Sequence, residues 1–306
     1  MLELGPLRAL HAVARTGSIH AAARALHLTN SAVSQRLARL ERDVGEVLLE
    51  PHGRGVRLTD AAQLLAGHAE RILALVDTAQ TALEHHRGAV TGRMSIAAFA
   101  SAGRGLVPMA LADLRANHPQ LRLEFHEQEP DVSIPLVVRG DSDIAIVQDW
   151  FNVPLELSDE VRRAGLLDDV LDLALPADHR LAGRAEVDIQ EVAGEVWVSW
   201  PTGTICGDWL RHTLRGYGVE PRVAHGVAEY STQLALVAAG FGIAVIPRLG
   251  RDPLPPGVTL VRVRPVLRRH VYAVWRTQSA HRPALAVAVE ALRCQAAAPA
   301  AELLPA

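Results

Sequence analysis

Lysine is absent from this 306-residue chain, and all 31 basic residues are arginine. A phosphate-binding P-loop needs a lysine on the phosphates and a pyridoxal enzyme needs one for its Schiff base, so neither chemistry can be built here. With the abundance of Ala, Pro and Val, the bias reads as the composition of a GC-rich genome. Cysteine is nearly absent too. Cys206 and Cys294 form no CxxC pair, which leaves zinc ribbons and structural disulfides unsupported and fits a reducing cytoplasm. Neither G-x-S-x-G nor G-x-G-x-x-G occurs, and the pairs His85-His86, His126-Glu127 and Asp168-Asp169 lack metal-ligand spacing. No catalytic residue, metal site or cofactor is therefore expected. The opening M-L-E-L-G-P-L-R has neither a basic n-region nor an apolar h-region, so secretion is not expected. Tyr230 to Pro247 carries no charge over 18 residues but opens with Ser231-Thr232-Gln233 and is broken by Gly240 and Gly242. Its apolar part is too short to cross a bilayer, and it reads as a helix followed by a buried strand.

What is present is a chain long enough for two domains, with 49% hydrophobic residues and a formal net charge of −3. Residues 1 to 58 hold eight arginines against five acids, and the remainder 23 against 29. The positive balance sits at the amino terminus, where it favours a polyanionic partner. Residues 18 to 41 read as two short helices meeting at a tight corner. Ser18 is a helix cap, and Ala22, Ala23 and Leu26 form an apolar stripe whose small alanines let a second helix approach closely. Leu28 marks the corner and Thr29 caps the next helix. There Val33, Leu37 and Leu40 recur at i, i+4 and i+7 and face the core, leaving Ser31, Gln35, Ala38 and Arg42 outside. Such a small polar face can enter a major groove and offer hydrogen bonds to base edges. The bland alternative is an antiparallel helix pair buried in a core. The flanks favour the sharper reading, since Leu7, Leu10, Val13 and Ala14 make a third amphipathic helix beginning near Pro6. Beyond the pair, Glu50 to Thr59 reads as a turn between two short strands, a wing carrying Arg54 and Arg57.

With these elements in place, residues 4 to 66 resemble the LysR-type transcriptional regulator family. The resemblance is carried by Leu10 and Val13, Gly17-Ser18, Ala22-Ala23, Leu26, Ser31-Ala32-Val33-Ser34, Leu37, Leu40-Glu41, Gly45, Leu48 and Leu58-Thr59. Leu49 stands where the family usually has Phe, Pro51 where it usually has Arg, and Ala62 where it often has Gly. Losing an arginine at Pro51 shifts phosphate binding onto Arg54 and Arg57. Asn30 replaces a commoner Gln, which bears on which bases are read. The resemblance implies DNA contacts from Thr29, Asn30, Ser31, Ser34, Gln35, Arg39, Arg54 and Arg57, with double-stranded promoter DNA as partner and RNA polymerase as a further one.

From Thr59 to about Arg87 there is no proline and only Gly67. Ala61, Leu65, His68, Ile72, Leu75, Ala79 and Ala82 alternate steps of four and three, a coiled-coil seam in which His68 is an imperfection. The stripe could lie against its own domain, but a lone helix of this length seldom stays unpaired. A dimer linker is the better reading, and the resemblance implies the same, with pairing into a homodimer or homotetramer.

Beyond Arg93 the pattern changes to alternating strands and helices, read as a parallel sheet with crossover helices arranged in two α/β lobes around a cleft. Strands are predicted at 94–99, 121–125, 143–147, 170–175, 195–199, 222–227, 243–246 and 271–275, with helices at 102–117, 131–140, 205–216, 232–239 and 283–294. Ser142-Asp143-Ile144-Ala145-Ile146 and Ala238 to Pro247 resemble the effector-binding domain of the same family, a two-lobed, periplasmic-binding-protein-like form. The expected fold is thus α+β multidomain. A winged helix-turn-helix occupies 1–59, a linker helix 60–88 and an effector-binding domain 89–296. Its lobes fall at about 93–162 with 268–295, and at about 163–267, and a mobile tail without assigned role covers 297–306. Ligands in such sheets bind beyond strand carboxyl ends, near helix N-termini. Those places are Ala100-Ser101, Gln148 and Thr202-Gly203-Thr204, with Tyr230 closing the far side, although each hydroxyl alone reads equally well as a cap. They suit a small carboxylate or other oxygen-rich effector. Two alternatives remain open: a small-molecule-binding protein of this fold without DNA binding, and a redox sensor acting through Cys206.

Overall fold

The computed structural model describes residues 2–297 except 27, 53–54 and 87–89. The expected wing residue Arg54 and the tail beyond Ala297 lie outside the described residues. By contacts the chain divides into two units, Met1–Arg87 and Gly88–Ala306.

In the first unit, α1 (Leu4–Thr16) carries Pro6 in its first turn, where a missing N–H costs nothing. Helix α2 (Ile19–Ala25) opens on Ser18, whose hydroxyl accepts from Ala21 N at 3.1 Å. Helix α3 (Asn30–Val44) opens on Thr29, which accepts from Ala32 N at 3.2 Å, and closes on Gly45 at φ 75°, a left-handed stop that glycine adopts without strain. Strands β1 (Leu49–His52) and β2 (Gly55–Leu58) form an antiparallel hairpin, and α4 (Asp60–His86) follows. Leu7, Leu10, Val13, Val33, Leu37, Leu40 and Leu48 share one core with Ala22, Ala23, Ala62, Ala66 and Ala69. Burying each of the larger side chains contributes roughly 1.5–3 kcal/mol. The alanines at 0–2% exposure, Ala22 and Ala23, let α1 and α3 close on α2.

Helix α4 departs from the expected seam in an informative way. Leu65 and Ile72 are half-buried against the winged core, whereas Leu64, His68, Leu75 and Ala79 are exposed. The first half of the stripe is thus partly spent on its own domain. A second stripe, one residue out of phase at Leu64, faces outward at steps of four and seven.

The second unit contains β3 (Gly92–Ala98), α5 (Ala100–Gly105), α6 (Val107–Asn117), β4 (Leu121–Glu127), α7 (Pro130–Arg139) and β5 (Ile144–Trp150). After the long β6 (Val161–Pro176) come β7 (Glu186–Asp188), β8 (Val196–Ser199), α8 (Ile205–Gly216), β9 (Arg222–Gly226), α9 (Tyr230–Ala238) and β10 (Ala244–Pro247). Strands β11 (Val258–Arg264) and β12 (Leu267–Arg276) and helix α10 (Pro283–Ala297) complete it. The main sheet runs β4-β3-β5-β12-β6-β11-β7, with β10 also on β6.

The expectation of a parallel sheet needs correction. β3 is parallel to β4 and β5, but β12 is antiparallel to both β5 and β6, so the sheet is mixed. β6 is 16 residues long rather than the six predicted, because its first half, V-R-R-A-G-L-L-D-D, is too polar to signal a buried strand. The helix expected over 102–117 is two helices, broken at Leu106.

Three apolar clusters result. Met94, Ile96, Leu106, Leu114, Ile144, Leu285 and Leu292 anchor one of the two larger, and Leu173, Leu175, Trp197, Leu210, Leu214 and Val245 the other, while Tyr272 and Val274 join Ala97, Val137, Ala145 and Val147 in the third. β6 and β12 feed both larger cores, through Ala164, Val271 and Ala273 on one side and Leu171, Leu173 and Leu267 on the other. The residues that lie between the two cores on these strands are therefore held by continuous backbone from both directions.

Candidate DNA-reading face and effector site

Helix α3 divides along its length as its sequence period requires. Val33, Leu37 and Leu40 are buried, while Asn30, Ser31, Ser34, Gln35, Ala38, Arg39 and Arg42 are exposed, as is the capping Thr29. Its position against the wing is fixed by Glu41, whose Oε1 accepts from Leu48 N at 2.8 Å and Leu49 N at 3.3 Å. Thr59 ties the other end of the hairpin, donating to Val47 O at 2.8 Å while capping α4 at Ala62 N. Of the side chains expected to meet DNA, Asn30 touches His20 at 3.4 Å, Arg39 pairs with Glu3, and Arg57 pairs with Glu50 at 2.9 Å. Exposed ion pairs of this kind contribute only about 0–1 kcal/mol, so a phosphate can replace either carboxylate at little cost. Gln35 presents a carboxamide, the group whose donor and acceptor match an adenine edge.

In the second unit, the expected effector residues meet around one they did not include. Arg269 of β12 is 0% exposed. Its Nε and one terminal nitrogen donate to Asp169 Oδ2 at 2.9 and 2.7 Å, the latter nitrogen also donates to Ser101 Oγ at 2.7 Å, and the other nitrogen donates to Gln148 Oε1. Asp169 Oδ1 accepts from Leu249 N at 2.9 Å. The guanidinium also lies 5.0 Å from the centre of the Phe99 ring. Burial is the largest single influence and pulls the arginine pKa down, but Asp169, Tyr230 and Cys206 together carry the net direction upward, so the group is a fixed cation. Gln148 completes the chain by donating to Cys206 Sγ at 3.3 Å.

Ser101, Gln148 and, through the field of Arg269, Tyr230 are thus brought together. Burial pushes the Tyr230 phenol up, with Arg269 opposing, and the ring meets Trp200 edge-on at 5.5 Å and Arg104 at 5.5 Å. Ala100 is the half-buried first residue of α5. Thr202 and Gly203 are exposed, Gly203 N donates to Asp208 Oδ1 at 3.0 Å, and Thr204 caps α8 by accepting from Gly207 N at 3.2 Å. Gly203 and Thr204 are occupied locally, and no hydrogen bond among the described residues draws any of the three into the Arg269 cluster.

Sequence reasoning missed Arg269 and Asp169. The signal was there: Leu267, Arg269 and Val271 fall on one face of a period-two strand, so an arginine stands in phase with buried apolar neighbours. Ser101 is held by a close approach as well. Gly250 sits at φ 64°, where an added Cβ would lie 2.2 Å from Ser101 O. Gly250→Ala is expected to lose about 1–3 kcal/mol from backbone strain alone, measured by urea denaturation.

Cys206 is buried and its thiol is pushed up to about 12, chiefly by burial. The thiolate is the reactive form, so this environment argues against a redox role in the state described. A thiol reagent is expected to label exposed Cys294 in the native protein and to reach Cys206 only on unfolding. Rapid labelling of both thiols in the native protein would contradict that description.

Comparison with known proteins matches the same two regions. The model of bacterial regulatory helix-turn-helix proteins of the lysR family covers residues 4–63, and the LysR substrate binding domain covers residues 87–297. The small neutral protease regulatory protein of Streptomyces coelicolor is 31% identical over 80% of this chain and 73% of its own length. A probable RuBisCO transcriptional regulator of Chlorokybus atmophyticus is 34% identical over 62% of this chain, and the chain spans 60% of that protein. Among solved structures, full-length CbnR complexed with its target DNA is 23% identical, covers 96% of this chain and 100% of its own, and superimposes with a TM-score of 0.60. Among the described residues no helix is long and apolar enough to cross a membrane. The chain therefore belongs to the LysR family, as a DNA-binding transcriptional regulator and not an enzyme, with an amino-terminal helix-turn-helix domain and a carboxy-terminal effector-binding domain.

Proposed function

We propose that α3 enters the major groove of double-stranded promoter DNA, with Ser31, Ser34 and Gln35 toward base edges and Asn30 beside them. Thr29, Arg39 and Arg57 would face the phosphates, joined by Arg54 of the wing. The observation that carries this reading is the division of α3 into a buried apolar face and an exposed face of small polar residues and arginine. CbnR, of similar fold, was solved on its target DNA, which supports the same use of the motif here. Two copies pair through α4 to place two such helices on one duplex, and pairing of effector-binding domains builds the homotetramer. The working domain scheme is 1–59 for reading, 60–88 for pairing and 89–296 for effector response, acting in the cytoplasm where promoter and RNA polymerase are found.

The effector we assign to the Arg269 cluster is a small oxygen-rich metabolite, a carboxylate being the best chemical fit. Arg269 makes four hydrogen bonds with its five N–H groups, so such a ligand accepts from the remaining N–H beside Gln148 and gains a second donor by exchange for Gln148 or Ser101. That exchange would alter how β5, α5 and β12 meet and so the spacing of the reading heads.

A gel shift on DNA flanking the gene tests the reading. Arg57→Ala is expected to weaken binding uniformly across sequences and to lower the magnitude of the salt slope by about one per protomer. No shift at low salt would favour a ligand-binding protein that does not bind DNA.

A further inference from the structure

The three strands that carry the Arg269 cluster present a second constellation on their opposite face. Register places Asp149 of β5 and Asp168 of β6 on either side of His270 of β12, and Gly165 beside Tyr272. Paired residues share a face, so these side chains alternate with Gln148, Arg269 and Asp169 and point away from them. With Arg163 they line a cavity of about 510 Å³, within the range of small-molecule sites.

The key group is Asp149, 4% exposed. Its Oδ2 accepts from Leu155 N at 3.0 Å and from the Tyr272 hydroxyl at 3.2 Å. Its Oδ1 is buried without a hydrogen-bond partner among the described residues. A carboxylate oxygen accepts only, so what is missing is a donor. The surroundings favour a cationic one. Asp168 adds a second carboxylate, 2.7 Å from His270 Nδ1, and the His270 ring lies against exposed Phe151, centroids 3.7 Å apart and planes tilted by 30°. The Tyr272 ring offers a face to which Arg163 is drawn at 5.6 Å, so the wall already holds a cation against its aromatic surface. An anion would meet Asp149 and Asp168 with like charge.

We propose that this cavity is a binding site for a small organic ammonium. The ligand donates N–H to Asp149 Oδ1 and lays an apolar body in the open space over Gly165. The site is separate from the Arg269 cluster, and it stands or falls independently of the DNA reading.

Phenethylamine serves as the probe and phenethyl alcohol as its neutral counterpart, each titrated calorimetrically into the full-length protein. The amine is expected to bind one per chain and the alcohol at least tenfold more weakly. Asp149→Asn is expected to weaken the amine at least tenfold. Gly165→Leu leaves Asp149 in place and fills the cavity; an added Cβ at Gly165 meets nothing within 4 Å, so the strand accepts it. This variant should abolish binding while melting as the wild type does. No heat with the amine, equal binding of amine and alcohol, or undiminished binding to Gly165→Leu overturns the proposal.

Discussion

Asp169→Ala is expected to destabilise the effector-binding unit by about 3–5 kcal/mol, because it leaves the Arg269 cation buried beside a void. Arg269 is 0% exposed, so water cannot replace the lost partner without opening the sheet. The remaining partners, Gln148 and Ser101, are neutral and do not offset the charge. Leu249 N loses its acceptor too, which loosens the turn at Gly250 that holds Ser101. For a unit of this size the midpoint of thermal unfolding should fall by roughly 6–20 °C. Removing both charges is a different experiment. Asp169→Leu combined with Arg269→Met is expected to recover most of the loss, since a packed apolar pair avoids the cost of desolvating two ions. Recovered stability with lost effector response would identify the ion pair as a functional feature rather than a stabilising one. If Asp169→Ala melted as the wild type does, Arg269 would not depend on Asp169 for its burial.

Leu75→Asp carries the second large effect, through assembly. Leu75 and Leu64 are each 69% exposed on α4, an unusual position for leucine on a helix whose inner face is already packed. In a pair of α4 helices both copies of Leu75 would be desolvated, and a carboxylate there would face its own symmetry mate in the seam. The variant is expected to lose the α4 pairing and to sediment at about half the mass of the wild-type assembly. Binding to a duplex with two half-sites should weaken by about 10²–10⁴-fold, because the second reading head is no longer delivered at high effective concentration. Affinity for a single half-site should be unchanged, since Leu75 is remote in sequence from α3. A variant that sedimented as the wild type does would move the pairing surface elsewhere.

The amino-terminal unit was legible because its signals are local. Val33, Leu37 and Leu40 recur within one helix, and the caps at Ser18, Thr29 and Thr59 lie within three residues of the groups they satisfy. The phase of α4 was less so. Apolar residues stand on two adjacent stripes, and periodicity alone does not decide which one the winged core takes; contact gives Leu65 and Ile72 to the core and leaves Leu64 and Leu75 outside.

In the second unit the positions of most strands and helices could be read, but strand direction could not, since an apolar strand looks the same from either end. The antiparallel insertion of β12 between β5 and β6 depends on contacts far apart in the chain. The Arg269 cluster shares that character, with partners 100, 121 and 168 residues away. The rule of looking beyond strand ends reached Ser101 after β3 and Gln148, which lies within β5 itself, and they meet at Arg269, whereas the same rule led to Thr204, a local cap of α8, and to exposed Thr202. Helix N-termini signal where a ligand can bind, and only the tertiary fold selects among them.

On the proposed function, the exposed face of α3 reads base pairs. Selection of bound duplexes from a randomised pool, with wild type and Gln35→Ala in parallel at matched salt, tests it most directly. The wild type is expected to recover two related half-sites, and the variant to lose preference at one position in each. That loss corresponds to about 1–3 kcal/mol of discrimination, with the salt slope unchanged. Recovery of the same sequence by both proteins, or of no common sequence by the wild type, would contradict it.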